Sequence, residues 1–120
     1  MASAPTPLPG RPVRGSRTGR PIMALLDLLG RRWALRIIWE LRDDTAPTFR
    51  ELAQRAGGVS SSVLTDRLRE LSEAGIIARG ADGYALTPRG HDLLTRLAPL
   101  ETWAAGWQQA DPAGHLGERA

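Results

Sequence analysis

The stretch TFRELAQRAGGVSSSVLTDRLRELSEAGII, residues 48–77, determines the fold that the sequence predicts. Thr48 is a suitable N-cap for a helix that ends at Ala56, because Glu51 three residues later completes a capping box. The glycine pair 57–58 breaks this helix, since glycine favours tight turns over helix interiors. The first part of the stretch therefore predicts a short helix followed by a tight turn.

A second, longer helix follows the glycine pair. Ser60 is its predicted N-cap, and Gly75, directly after Ala74, supplies its stop. Two helices joined by a tight glycine-containing turn form the helix-turn-helix plan, in which the second helix enters the major groove of DNA. The stretch therefore predicts a DNA-binding motif.

The second helix has a buried side and a free side. At about 100° per residue, Leu64, Leu68 and Leu71 share the buried side. The free side is small and polar, and Arg69 on it could bond guanine or a phosphate. An ordinary solvated helix surface has the same pattern, and Asp66 could accept from a cytosine amino group or pair with a neighbouring arginine. The predicted DNA-binding residues are Thr48, Arg50, Ser60, Ser61, Ser62, Thr65, Asp66, Arg67, Arg69 and Arg79.

Charge is unevenly distributed along the 120 residues. All 16 basic residues are arginine, and the net charge is only +3. Residues 1–20 carry four arginines and no acid, whereas residues 48–75 balance four arginines against four acids. Overall charge therefore supports nucleic-acid binding through the N-terminal segment, and in the motif only through local geometry.

Composition excludes several classes of protein. The absence of cysteine rules out disulfides, thiolate metal sites and thiol sensing. No apolar run approaches the ~18–20 residues of a membrane span, and no signal peptide is apparent, so a cytoplasmic protein is expected. His91 and His115 lie far apart, and no glycine-rich phosphate loop follows a strand, so we expect no enzyme, no metal and no cofactor.

The sequence divides into three parts. Residues 1–20, rich in Pro, Gly, Ser and Arg, predict a disordered arm that binds phosphates or the minor groove, or else a solvated leader. Residues 21–109 form the predicted domain, and residues 110–120 a flexible tail. The other predicted elements are helices at Pro21–Leu29 and Arg32–Arg42, strands at Ile76–Arg79 and Tyr84–Thr87, and a helix from Pro88 that Pro99 kinks or splits. The fold class is mainly α with a small β-hairpin.

Three stretches resemble the HxlR family of winged helix-turn-helix transcriptional regulators, a MarR-like group in bacteria. They are LLGRRWALRIIWEL (28–41), FRELAQRAGGVSSSVLTDRLRELSEAGII (49–77) and YALTPRGHDLL (84–94). They contain the family's Leu-Gly-x-Lys/Arg-Trp, Phe-x-Glu-Leu, Leu-Thr-x-Arg-Leu-x-x-Leu and Leu-Thr-Pro-x-Gly patterns. The likeness covers about residues 21–109.

The resemblance implies a homodimer that binds a pseudo-palindromic operator in double-stranded DNA, and we expect a repressor. Family members dimerise through their first and last helices. An apolar stripe on those helices is consistent with this, although Trp103 and Trp107 could instead pack on their own core. The residues expected at the dimer interface are Ile22, Leu25, Leu26, Leu97, Leu100, Trp103 and Trp107.

The sequence departs from the family pattern at four places. The cysteine that many relatives carry before the first helix is absent near Pro21, so thiol-based sensing does not carry over. Ser62 and Asp66 stand where relatives often have lysine and glutamine. The hairpin is shorter than the usual wing and leaves only Arg79, with Arg89 near its base, to reach a DNA backbone. Finally, the proline in the last helix changes the shape expected there.

Two other functions stay open at this point. One is an effector-sensing regulator whose small-molecule pocket is lined by tryptophans. The other is a winged helix used only for protein–protein contact, which the charge balance of residues 48–75 allows. The tryptophans that could line such a pocket are Trp33, Trp39, Trp103 and Trp107.

Overall fold

Six helices and one two-stranded hairpin make up the part of the chain that the computed structural model describes, residues 5–110. Proline, glycine and N-cap residues set most of their ends, as the sequence predicts. The elements are α1 Pro21–Leu29, α2 Ala34–Glu40, α3 Phe49–Ala56, α4 Ser61–Glu73, β1 Ile77–Arg79, β2 Tyr84–Leu86, α5 Pro88–Leu97 and α6 Pro99–Ala110. The predicted fold class is confirmed.

Side-chain caps fix the starts of α3 and α4. The Thr48 hydroxyl accepts from the Glu51 backbone N–H at 3.2 Å, and the Glu51 carboxylate accepts from the Thr48 N–H at 2.9 Å. This bond from the Thr48 N–H is the main reason that the pKa of Glu51 lies below its usual value. Ser60 caps α4 by accepting from the Val63 N–H at 3.2 Å. The predicted capping box and N-cap are both present.

The core forms where the helical stripes meet. Helix α2 lies at its centre and packs against α1, α3 and α5, while α4 packs against β1. Leucines on one side of α4 enter this core and leave its other side to solvent. The fully buried large side chains are Ile37, Ile38, Leu41, Leu52, Leu64, Leu71 and Ile77, together with Pro47.

The hairpin is attached to the loop before α3. Arg79 pairs with Tyr84 in the antiparallel register, and the Gly80 N–H donates to the Gly83 carbonyl at 2.8 Å to close the turn. The Tyr84 N–H donates to the Pro47 carbonyl at 2.9 Å, so β2 is hydrogen-bonded on both sides. This pairing holds the short wing beside the helix-turn-helix.

Glycine is required where α5 meets the start of the hairpin. A Cβ at Gly90 would lie 2.1 Å from the Ile76 carbonyl oxygen, a distance that backbone atoms cannot tolerate. The Thr87 hydroxyl caps α5 by accepting from the Gly90 N–H at 3.0 Å. The Leu-Thr-Pro-Arg-Gly sequence therefore fixes how α5 leaves the wing.

The structure changes one predicted helix start and resolves how the last predicted helix is interrupted. The helix expected from Arg32 begins at Ala34, because Trp33 adopts a left-handed conformation with φ +78° and serves as the N-cap. The last predicted helix is divided, since α5 ends at Leu97 and Pro99 opens α6. No helix within residues 5–110 combines the length and apolar character that crossing a membrane requires.

The N-terminal segment differs from the disordered arm that the sequence predicts. Residues 5–20 lie against the domain, with the Gly10 N–H donating to the Gly19 carbonyl at 2.9 Å and the Arg14 N–H to the Asp27 carboxylate at 3.1 Å. Thr6 is only 3% exposed. Composition could not predict this order, because the partners of Thr6, Arg69 and Glu73, lie 63 and 67 residues away in sequence. Residues 1–4 and 111–120, including most of the predicted tail, lie outside the described residues.

Candidate nucleic-acid interface

The exposed side of α4 is polar along its N-terminal half. Ser61, Ser62 and Thr65 are exposed, whereas the leucines of the opposite side are buried. The Thr65 hydroxyl donates to the Ser61 carbonyl at 2.8 Å, which leaves the hydroxyl oxygen free to accept. Short hydroxyl side chains on an exposed helix allow close approach to base edges.

A groove between α4 and the wing brings together residues that are distant in sequence. Thr65 and Arg69 of α4 line it with Arg79 of β1 and Tyr84 of β2. The Arg79 guanidinium lies 5.7 Å from the centre of the Tyr84 ring, a cation–π contact that orients it. Arg50 is exposed on α3. Arg50 of α3 and Arg79 of β1 therefore provide exposed positive charge on the two elements that flank α4 in the sequence.

Arg69 is engaged in contacts within the chain. Its Nη1 lies 3.2 Å from the Thr6 hydroxyl and 3.4 Å from the Glu73 carboxylate, and its Nη2 lies 3.8 Å from the Glu70 carboxylate. Thr6 in turn donates to Glu73. The N-terminal segment thus covers the C-terminal half of α4, and Arg69 would have to exchange these partners to bond a base.

Arg67 lies away from the exposed polar side of α4. Its Nε donates to the Arg32 carbonyl at 3.1 Å, and its Nη1 is paired with Glu70. These contacts hold α4 to the segment between α1 and α2. The sequence grouped Arg67 with the DNA-binding residues because it is basic and lies in the motif, but its bonds point into the domain.

Glu70 is one of the residues that sequence reasoning missed. It is 2% exposed and accepts from Arg31 Nη1 at 2.6 Å as well as from Arg67. The spacing of three between Arg67 and Glu70 is a signal that the sequence carries, whereas Arg31 is 39 residues away. This cluster connects the segment after α1 to the C-terminal half of α4.

Helix α6 has an exposed apolar side. None of its residues, Pro99–Ala110, is buried. Leu100, Trp103 and Trp107 are 58%, 64% and 53% exposed, and the two indole rings stack at 5.6 Å. Of the other residues predicted at a dimer interface, Ile22 and Leu26 are exposed, while Leu25 and Leu97 are half-buried against the core.

An apolar groove beside α6 extends this exposed side. Leu35 and Trp39 of α2 line it together with Leu94 and Leu97 of α5. Leu35 and Trp39 are themselves exposed large hydrophobic residues. The sequence indicated only the terminal helices as an apolar surface and did not include α2.

The four tryptophans do not converge on one pocket. Trp33 packs partly buried against the core near the start of α2, whereas Trp39 lies in the groove beside α6. Trp103 and Trp107 are exposed on α6. His91, which is half-buried, lies 2.9 Å from the Asp44 carboxylate. Within residues 5–110 no group of three or more potential ligands is placed to hold a metal ion.

The sequence of this chain is similar to those of known proteins. The chain matches a family model described as HxlR-like helix-turn-helix over residues 28–112. It is 31% identical over 90 residues to the HTH-type transcriptional regulator YtfH of Escherichia coli strain K12, across 69% of this chain and 71% of that protein. The regulator YvaP of Bacillus subtilis strain 168 is 29% identical, across 68% and 82%.

Solved structures agree with the sequence relatives. The reduced form of the transcriptional regulator YodB from B. subtilis superposes with a TM-score of 0.65 at 30% identity, covering 78% of this chain and 96% of that one. A possible HxlR family transcriptional factor from Thermoplasma volcanium gives a TM-score of 0.63 at 28% identity, covering 71% and 82%. The family and these relatives are transcriptional regulators and not enzymes. The chain belongs to the HxlR family of DNA-binding helix-turn-helix transcriptional regulators.

Proposed function

We propose that the chain acts as a homodimer that binds a pseudo-palindromic operator and represses transcription from it. The observation that carries this proposal is that one chain has two exposed surfaces, a polar side on α4 and an apolar side on α6. The first provides a surface for DNA, and the second a surface for another copy of the chain. In this proposal occupancy of the operator blocks transcription, and the chain acts in the cytoplasm, where the promoter DNA lies.

In this proposal the N-terminal half of α4 enters the major groove. Ser61, Ser62 and Thr65 contact base edges, and the positive end of the α4 dipole faces phosphate. Arg50 and Arg79 contact the backbone on either side. The arginines of residues 11–20 are exposed and add charge near the DNA. Arg67 is not included, because its guanidinium is bonded to Glu70 and a backbone carbonyl.

The second copy of the chain covers the apolar side of α6. A contiguous apolar patch on a small domain is costly to leave in water, and stacked tryptophans are favoured at interface centres. The groove lined by Leu35 and Trp39 lies next to this patch and extends it. Two-fold symmetry then places two α4 helices on one side of the dimer, each in a half-site.

Ser62→Glu is expected to weaken DNA binding by at least about tenfold at 0.1 M salt, because it places a carboxylate against the phosphates. The variant should fold normally, since Ser62 is exposed and an acid in the first turn of α4 favours the helix dipole. Electrophoretic mobility shift on the intergenic DNA upstream of the gene measures the effect. Gln109→Glu is the matched control. It adds the same charge at an exposed position of α6, outside the surface proposed to contact DNA.

Equal affinities for the two variants would contradict the placement of α4 on DNA. If the unaltered chain binds no DNA even at low salt, where phosphate contacts are strongest, a role limited to protein–protein contact replaces the proposal. A loss of DNA affinity that is confined to Ser62→Glu supports the assignment of α4 to the DNA interface.

A further inference from the structure

A cavity of about 280 Å³ lies between the N-terminal segment and the domain. Residues 7–9 form one wall, and α1 and α5 form two others. Apolar side chains dominate these walls, among them Leu8, Leu28, Ile76 and Leu93. The volume is close to the lower end of small-ligand pockets, ~300–1,000 Å³, and suits a single ring or a short branched chain.

Charged side chains also line the cavity. Arg96 donates to the Asp92 carboxylate at 3.3 Å, so these two compensate each other. Arg89 also lines the cavity and forms no ion pair with any residue of the described segment 5–110. A Cβ added at Gly75 would lie 3.9 Å from Arg89 Cδ, which shows that the arginine stem runs alongside the cavity wall. Within the described residues, the cavity lining therefore includes one guanidinium, that of Arg89, without a carboxylate partner.

We propose that this cavity binds a small apolar monocarboxylate, with its hydrocarbon body between the leucines and its carboxylate on Arg89. A guanidinium bonds a carboxylate through two parallel N–H donors, which gives both charge and orientation. A cationic ligand would meet net positive charge. A neutral ligand would leave the guanidinium without its preferred acceptor. The assignment does not rest on the DNA contacts proposed above.

The N-terminal segment forms one wall of the site and should respond to the ligand. Arg31 Nη2 donates to the Pro5 carbonyl at 3.2 Å, and Thr6 is bonded to α4, so the segment is held from its start. A ligand in contact with residues 7–9 adds a further attachment. Among residues 7–9 only Leu8 has a backbone N–H, because its two neighbours are prolines. The Leu8 amide therefore reports on ligand contact with this wall.

Titration of the ¹⁵N-labelled full chain by NMR tests the site. Phenylacetate and 3-methylbutanoate are the probes, and phenylacetamide and 3-methylbutanamide are their neutral counterparts. At least one carboxylate should shift the amides of Leu8, Leu28 and Leu93 and slow hydrogen exchange at Leu8. Its amide should bind at least about tenfold more weakly, because hydrogen bonds between charged groups are stronger than neutral ones.

Variants of Arg89 distinguish specific binding in the cavity from nonspecific binding of the probe to apolar surface. Arg89→Gln should reduce carboxylate affinity to that of the amide, and Arg89→Met serves the same purpose if the first variant fails to fold. Arg42→Gln, the same change at an exposed arginine that does not line the cavity, should leave ligand binding unaltered. The proposal is overturned if neither carboxylate shifts these amides, if acid and amide bind equally, or if the Arg89 variants bind as the unaltered chain does.

Discussion

Trp103→Glu is expected to convert the proposed dimer into a monomer. The indole is exposed in the single chain and stacks on Trp107, on a helix without any buried residue of its own. Loss of a central interface tryptophan costs at least about 2 kcal/mol, roughly a thirtyfold rise in the dimer Kd. A glutamate also brings a charge into a surface that would exclude water, which adds to the loss.

Sedimentation velocity across a concentration series measures this effect. Gln109→Glu is the control, because position 109 of α6 lies outside the stripe of Leu100, Trp103 and Trp107 and is also exposed. The control should sediment like the unaltered chain, and both variants should keep the same far-ultraviolet circular dichroism. A Trp103→Glu chain that remains dimeric, or an unaltered chain that is monomeric at tens of micromolar, would remove α6 from the interface.

Glu70→Ala is expected to lower the free energy of unfolding by about 2–3 kcal/mol. Removing one partner of a buried ion pair costs ~3–5 kcal/mol, because the remaining charge stays buried without compensation. Here Arg31 and Arg67 both lose Glu70, but their side chains are 21% and 17% exposed and regain some water. The loss of unfolding free energy should therefore be smaller than the cost of breaking a fully buried ion pair.

Urea denaturation with a common m-value provides the measurement. Asp92→Ala is the matched control, since Asp92 carries the same charge and is likewise paired with an arginine, Arg96, but both side chains are exposed. Its cost should stay near the ~0.5 kcal/mol typical of surface changes. Glu70→Gln, which keeps shape but not charge, should fall between the two. Equal costs for the two alanine variants would show that the cluster is not a structural link between α1 and α4.

Local signals in the sequence were sufficient to predict most of the fold. Thr48 and Ser60 carry capping side chains at the starts of two helices, and both caps are present. Leu64, Leu68 and Leu71 recur at helical spacing, and all three are buried. These features depend on residues within one turn of each other, so the sequence expresses them directly.

Contacts between distant segments were not predictable in the same way. Thr6 reaches Arg69 across 63 residues, and Arg31 reaches Glu70 across 39. No periodicity links such pairs, and the composition of residues 1–20 favoured disorder because it includes few large apolar side chains. The order seen for residues 5–20 depends on hydrogen bonds and on prolines packed against the domain.

The candidate interface was predicted in part. The exposure of Ser62 and Thr65 follows from the helical wheel, which places Ser62 opposite the leucines and Thr65 on the flank of the free side. The engagement of Arg67 and Arg69 by carboxylates does not follow from it, because a basic residue in a recognition helix has the same sequence signature whether it faces DNA or the protein. Leu35 and Trp39 were missed for a related reason, since the groove they line exists only once α2 and α5 are adjacent.

Footprinting of the purified chain on its upstream intergenic DNA tests the central claim most directly. A homodimer with one α4 helix in each half-site should protect two inverted half-sites whose centres lie about one helical turn apart, ~10–10.5 bp, or a multiple of that spacing. Protection of one unsymmetrical site, or no protection at low salt, would contradict the proposed dimeric operator binding.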